Sequence, residues 1–269
     1  MAKEPAVSNE PAVANEPAVA NEPAVAKEPA VSNEPSVSMA PTKRLPNGGS
    51  RSVFGLATVL LIASALLFGL IARHIVAGDH LTLLDARVAV WLHMRASAEL
   101  TRWMWLVSTL HSTGAIICYA GILAIVAFRK RLWRRLSTLA LCVLGGMLLN
   151  VMLKHAFHRA RPHFADAILT LTSYSFPSGH VAATTIFYGL GVLWVFGRTG
   201  ALRWRALALV SAAWVILLVA LSRMVLGVHY LSDVIAGFAE GVAWLALCQI
   251  VLAALRRSKI KPELEATLR

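Results

Sequence analysis

The stretch Leu217–Ala236, LLVALSRMVLGVHYLSDVIA, joins the end of one apolar run to the start of another through a short polar insert. Ser222, Arg223, His229 and Asp233 stand in or beside that insert. The runs that flank it, Trp204–Leu221 and Val234–Leu255, have the length a helix needs to cross a bilayer, about 17–25 residues. Working outward, the same reading gives Val53–Ala72, Trp103–Phe128, Leu136–Leu153 and Val181–Phe196. The last of these reaches spanning length if its helix begins near Pro177. The chain is 57% hydrophobic, with a mean hydropathy of +0.64, too apolar for an ordinary soluble domain. The pattern predicts an all-α, polytopic membrane protein with six transmembrane helices.

A net charge of +12 would suit a nucleic-acid partner if the charge formed one surface. It does not. Lys43, Arg44 and Arg51 precede the first run, and Arg129, Lys130, Arg131, Arg134 and Arg135 separate the second from the third. Arg198, Arg203 and Arg205 follow the fourth, and Arg256, Arg257, Lys259 and Lys261 follow the sixth. Alternate connections carry the basic residues, which is the positive-inside pattern with both termini cytoplasmic. The excess charge sets topology and meets anionic head groups, so the partner is the lipid bilayer and no nucleic acid is expected. Cys118, Cys142 and Cys248 all fall within apolar runs, without the spacing of a metal cluster or disulfide framework.

Three segments follow from composition. Residues 4–39 repeat a hexapeptide, EPAV(A/S)N with small variations. A proline every six positions removes backbone donors, and Ala and Val offer too little bulk for a core, so residues 1–50 read as a disordered tail. Residues 51–258 form the membrane domain, and 259–269 a short cytoplasmic tail. The first apolar run begins some fifty residues in, after this acidic repeat, and reads as an uncleaved signal anchor. Between the first two runs, Leu81–Met94 reads as an amphipathic helix on the outer surface.

Counted from a cytoplasmic N-terminus, the remaining polar clusters fall on one side. KHAFHRARP, closing the third run, supplies Lys154, Arg161 and Pro162; PSGH, opening the fourth, supplies Pro177, Ser178, Gly179 and His180. SRMVLGVHYLSD supplies Arg223, His229 and Asp233. Each has an ordinary reading. A lysine at a helix end snorkels, an arginine in a loop is solvated, and Ser178 is a helix cap. His229 and Asp233, four apart, can be a structural pair. Lys154 and Arg161, seven apart, share a face if the helix continues. Together, three cations, two histidines, a carboxylate and a helix N-terminus make a site for a multiply charged oxyanion, phosphate above all. No Walker-type loop, carboxylate cluster or zinc-ligand spacing is visible, so the chemistry is expected to run without metal or cofactor.

Lys-x6-Arg-Pro, Pro-Ser-Gly-His and Ser-Arg-x5-His-x3-Asp, in that order, resemble the motifs of the type 2 phosphatidic acid phosphatase (PAP2) superfamily, which shares its site with the vanadium haloperoxidases. The resemblance covers roughly residues 80–255 and implies a six-helix membrane bundle with an extracytoplasmic site, here in a bacterial cytoplasmic membrane. Carried over residue by residue, it makes His229 the nucleophile that becomes a phosphohistidine, oriented by Asp233. His180 is then the acid that protonates the leaving oxygen. Lys154, Arg161 and Arg223 would hold the phosphoryl oxygens, with Ser178 and the Gly179 N–H adding hydrogen bonds. The substrate class implied is a lipid phosphate or pyrophosphate, such as phosphatidic acid, phosphatidylglycerol phosphate, diacylglycerol pyrophosphate or undecaprenyl diphosphate. His111, His155 and His158 are expected to pack or to be solvated. Three alternatives share these residues: a phosphotransferase passing the group to a hydroxyl, a haloperoxidase, and a non-catalytic lipid-binding protein.

Overall fold

The computed structural model describes residues 48–164, 169 and 171–267. The hexapeptide repeat lies outside the described residues. Eight helices follow in order: α1 Gly48–Ala77, α2 His80–Arg95, α3 Ala98–Leu110, α4 Thr113–Arg129, α5 Trp133–Phe157, α6 Gly179–Phe196, α7 Leu202–Val225 and α8 Leu231–Thr267. No strand occurs among the described residues. Five helices are long and apolar enough to cross a membrane, and six spans result if α3 and α4 are taken as one.

The second apolar run, expected as a single helix, is therefore broken, and its two halves bend by 41°. The break has a local cause. Ser112 caps α4 by accepting from the Ala115 N–H at 3.2 Å, while the Tyr119 hydroxyl donates to the Leu110 carbonyl at the end of α3. His111, between them, bonds the Val107 carbonyl and the Tyr188 hydroxyl, each at 3.0 Å. Side chains thus satisfy backbone groups that a continuous helix would have paired, a requirement in lipid. Elsewhere the helices run beyond the apolar stretches: α5 continues past Leu153 to Phe157, and α7 past Leu221 to Val225. The added turns carry Lys154 and Arg223. The apolar runs end where the candidate site residues begin.

α6 occupies the middle, against α5, α7 and α8, while α8 also packs along α1. Ile116, Leu139, Cys142, Val143, Ile186, Leu190 and Cys248 form its principal core. Glycines bring α8 close. A Cβ on Gly237 would stand 2.6 Å from the Ser178 carbonyl oxygen, and one on Gly241 2.7 Å from Thr185 Cβ. Gly237 and Gly241 form a small-xxx-small face, which lets helix backbones approach where no hydrophobic force drives helices together. Trp244 lies over Gly145 and Gly146 and donates its indole N–H to the Cys142 carbonyl at 2.9 Å. The outward faces carry exposed Leu56, Leu66, Val210 and Leu217, as lipid-facing surfaces do. This is a multi-pass membrane bundle.

The segment expected as an amphipathic surface helix is α2, and it carries Leu83, Leu84, Val90, Trp91 and Met94 exposed. Its buried side holds a carboxylate, Asp85, with no exposure at all.

Candidate active site

A cavity of about 330 Å³ opens at the ends of α5, α6 and α7. Lys154, Arg161, Arg223, Gly179, His180 and His229 all line it. The three polar clusters, separated by up to dozens of residues in sequence, meet there.

α5 presents Lys154 on its last turn, where the ammonium donates to the Tyr174 carbonyl at 2.7 Å. The helix does not continue to Arg161. It stops at Phe157, and His158 adopts a left-handed conformation with φ 48°. The shared helix face expected for Lys154 and Arg161 is thus absent, and a returning loop joins them instead. Arg161 is tied down by carbonyls: Nε donates to Ser173 O at 2.7 Å, Nη1 to Val228 O at 2.6 Å and Nη2 to Tyr174 O at 3.2 Å. Burial pulls its pKa below the usual guanidinium value, with the charge of Asp233 opposing. Arg223, on α7, donates from Nη1 to Ser108 Oγ, leaving Nε without a partner.

Among the described residues, no carboxylate lies within ion-pair distance of Lys154, Arg161 or Arg223. Three cations facing one cavity without a counter-ion are arranged for an incoming anion.

His229 precedes α8 rather than lying on it, yet the spacing of four still works. Its Nδ1 is 3.4 Å from Asp233 Oδ2, and its Nε2 is 3.3 Å from Arg161 Nη1. With Nδ1–H donating to Asp233, the lone pair of Nε2 is the one near the cationic groups. Burial holds the His229 pKa down to about 3; the Asp233 hydrogen bond and charge oppose this, while Arg223 and Arg161 add to it. The ring is therefore neutral near pH 7. Asp233 is fully buried and accepts through Oδ2 from Ser175 Oγ and from the Tyr230 N–H at 2.9 Å.

Ser178 stands at the N-cap of α6 but makes no side-chain cap bond. Its hydroxyl is buried and unpartnered, while its N–H donates to the Asp233 carbonyl at 3.0 Å. The expected cap is replaced by a link from α6 to α8. Gly179 is a close-approach glycine, because a Cβ there would stand 2.8 Å from Asn150 Oδ1. His180 lines the cavity one residue further. His155 and His158 pack edge-on against Tyr174, and His111 serves the α3–α4 break, so none belongs to the cavity lining.

Residues that the motifs do not single out complete the site. Asn150 lines the cavity and donates to buried Glu240 Oε2 at 2.8 Å. Arg159 bridges Asp233 and Asp85, its Nη2 donating to Asp85 Oδ2 at 2.7 Å and its Nη1 to Asp233 Oδ1. Burial works against the Arg159 charge, but the two carboxylates outweigh it and raise its pKa. A lone acid within apolar α2 was the available signal for Asp85. Among the described residues, no group of three His, Cys, Asp or Glu side chains is disposed to hold a metal ion.

Fold and site together define a multi-pass helical membrane protein with a cation-lined cavity backed by a His–Asp pair. Residues 135–257 match the family model of the PAP2 superfamily. Phosphatidylglycerophosphatase B of Bacillus subtilis (strain 168) is 34% identical over 117 residues, 43% of this chain and 56% of that one. Lipid A 1-phosphatase of Rhizobium etli is 36% identical over 121 residues, 42% of this chain and 47% of that one. The chain thus spans about half the length of the curated relatives it matches. The fold is also that of a transmembrane PAP2 type phosphatidylglycerolphosphate phosphatase from Bacillus subtilis. That crystal structure matches with a TM-score of 0.63 at 25% identity, covering 74% of this chain and 96% of the other.

Proposed function

We propose that the protein is a membrane phosphatase that hydrolyses a lipid phosphate or lipid pyrophosphate through a phosphohistidine. The observation that carries this reading is the cavity itself. Three cations without a counter-ion among the described residues face it, together with His180 and a histidine whose other nitrogen is held by a buried aspartate. The named activities of the relatives, both on lipid phosphates, support the substrate class.

Nε2 of His229 attacks phosphorus while the bond to the leaving oxygen breaks, and His180 gives that oxygen its proton. Asp233 keeps the Nδ1–H in place and stabilises the positive ring that forms. Lys154, Arg161 and Arg223 neutralise the equatorial oxygens as charge spreads over them. Water, deprotonated by His180, then attacks phosphorus. The P–N bond breaks, releasing phosphate and neutral His229. A cavity at the ends of membrane spans suits a head group whose tails stay in the bilayer. On the charge pattern, it faces the extracytoplasmic side with both termini cytoplasmic.

The test is phosphate release by purified protein over a panel of lipid phosphates and pyrophosphates, with and without chelator, plus acid-quenched trapping of labelled phosphate. His229→Ala should trap none. His180→Ala should regain much of its trapping rate with a nitrophenyl ester, whose leaving group needs little protonation. Label on His229→Ala, or activity that a chelator abolishes and one divalent metal alone restores, would overturn this reading.

A further inference from the structure

Arg159, two residues before Arg161, has a different fate. It lines no part of the cavity; its side chain, 10% exposed, is divided between two fully buried carboxylates. Nη1 reaches Asp233 Oδ1 at 2.5 Å and Nη2 reaches Asp85 Oδ2 at 2.7 Å, with the cation 4.4 Å above the Tyr230 ring. Ser232 stitches the group together. Its hydroxyl accepts from Arg159 at 2.7 Å and donates to Asp85, and its N–H donates to Asp85 Oδ1 at 2.9 Å. α2, the loop after α5 and the first turn of α8 are thereby joined at one point behind His229.

A buried ion pair is a poor device for stability alone, since apolar residues of similar size often do as well. The charge count suggests another use. Two carboxylates against one guanidinium leave a net charge of about −1 on the side of His229 away from the cavity. The ring becomes cationic when Nε2 bonds phosphorus and Nδ1–H is retained, and a negative charge behind it favours that state.

We propose that Asp85 and Arg159 are positioning residues for His229, acting through Asp233. Arg159 aims the Asp233 carboxylate at Nδ1–H, and Asp85 keeps the charge behind the ring negative despite the guanidinium, as the phosphorylated form requires. The inference rests on the phosphohistidine reading above, and it makes α2 part of the active site.

The single variants Asp85→Asn and Arg159→Gln, with the double variant, are compared with wild type by two measurements. In single-turnover trapping, each single variant should form phosphoenzyme more slowly by about 10–100-fold, the scale of losing an outer-shell partner, with KM unchanged. The double variant restores the net charge, so it should lose less than the two losses multiplied together. The second measurement is ¹⁵N NMR of histidine-labelled protein in detergent micelles, with His229→Ala assigning the signal. Wild type should show the Nδ1–H tautomer, and Arg159→Gln a mixture. Asp85→Asn is nearly isosteric and keeps an acceptor for the Ser232 N–H, so it tests the charge even if Arg159→Gln fails to fold.

Wild-type trapping rates in both single variants, or a raised KM at unchanged rate, would overturn the inference while leaving the phosphatase reading in place. If wild type releases no phosphate from any lipid, that reading fails. The tautomer measurement then decides the positioning role, and an unchanged His229 signal in Arg159→Gln overturns it.

Discussion

Gly237→Ala should damage catalysis from a position that touches no substrate. The methyl group would stand 2.6 Å from the Ser178 carbonyl oxygen and 3.3 Å from both Ser178 C and Cβ. Two of these are backbone atoms, so no rotamer change relieves the contact. Restoring ordinary van der Waals separation needs a displacement of about 0.8 Å between α8 and the start of α6. Ser178 is held on that same side by its bond to the Asp233 carbonyl, so the Gly179–His180 turn must move relative to His229. Overpacking of this kind costs about 1–3 kcal/mol of stability. A misplacement near 1 Å at reacting groups costs on the order of 10²-fold in rate, or about 2.7 kcal/mol of barrier. The expected result is a purified, folded variant with phosphoenzyme formation slowed by roughly 30–100-fold. Gly121→Ala on α4, where a Cβ meets nothing within 4 Å, should behave as wild type. Both are measured by single-turnover trapping and thermal unfolding in detergent. A Gly237→Ala protein with wild-type rate and stability would refute the steric link between α8 and the PSGH turn.

Two further outcomes are expected. With a nitrophenyl ester, phosphoenzyme formation should show no His229 titration between pH 7 and 5. Burial lowers that pKa to about 3, so the neutral ring, the form the proposed attack requires, persists well below the usual imidazole range and is lost only as pH falls toward 3. A one-proton loss of rate centred near 6.5, after allowance for substrate ionisation, would contradict this. Deleting Met1–Met39 should leave kcat/KM of the purified protein within about threefold, because the repeat has neither core-forming nor catalytic side chains; a loss of orders of magnitude would give the tail a catalytic role.

Much of this protein is legible in its sequence, because the bilayer imposes a length and a polarity on every span. The helical class follows from apolar runs that no soluble core requires. Among the residues that line the cavity, Lys154, Arg161, His180, Arg223 and His229 are legible because ionisable groups beside such runs are expensive and few, and Gly179 because it stands in PSGH next to His180. Hydropathy blurs where cost is offset locally. It missed the α3–α4 break, where Ser112 and Tyr119 satisfy backbone groups that the apolar pattern ignores. It ended α5 and α7 before the turns that hold Lys154 and Arg223.

Tertiary structure alone decided that Arg159 is neutralised by two carboxylates while Arg161 faces the cavity without one. Arg159 and Arg161 are chemically identical and two residues apart; the Lys-x6-Arg-Pro motif singles out Arg161, but nothing in KHAFHRARP says what Arg159 does. The separation comes from Asp85, more than seventy residues away on a helix that reads as surface, and from Asp233 on α8. It also comes from the left-handed turn at His158, which lets the chain reverse between Lys154 and Arg161. Spacing along a chain states which groups can share a helix face. Which charge finds a counter-ion depends on the packing of distant segments, and that is settled only when the bundle closes.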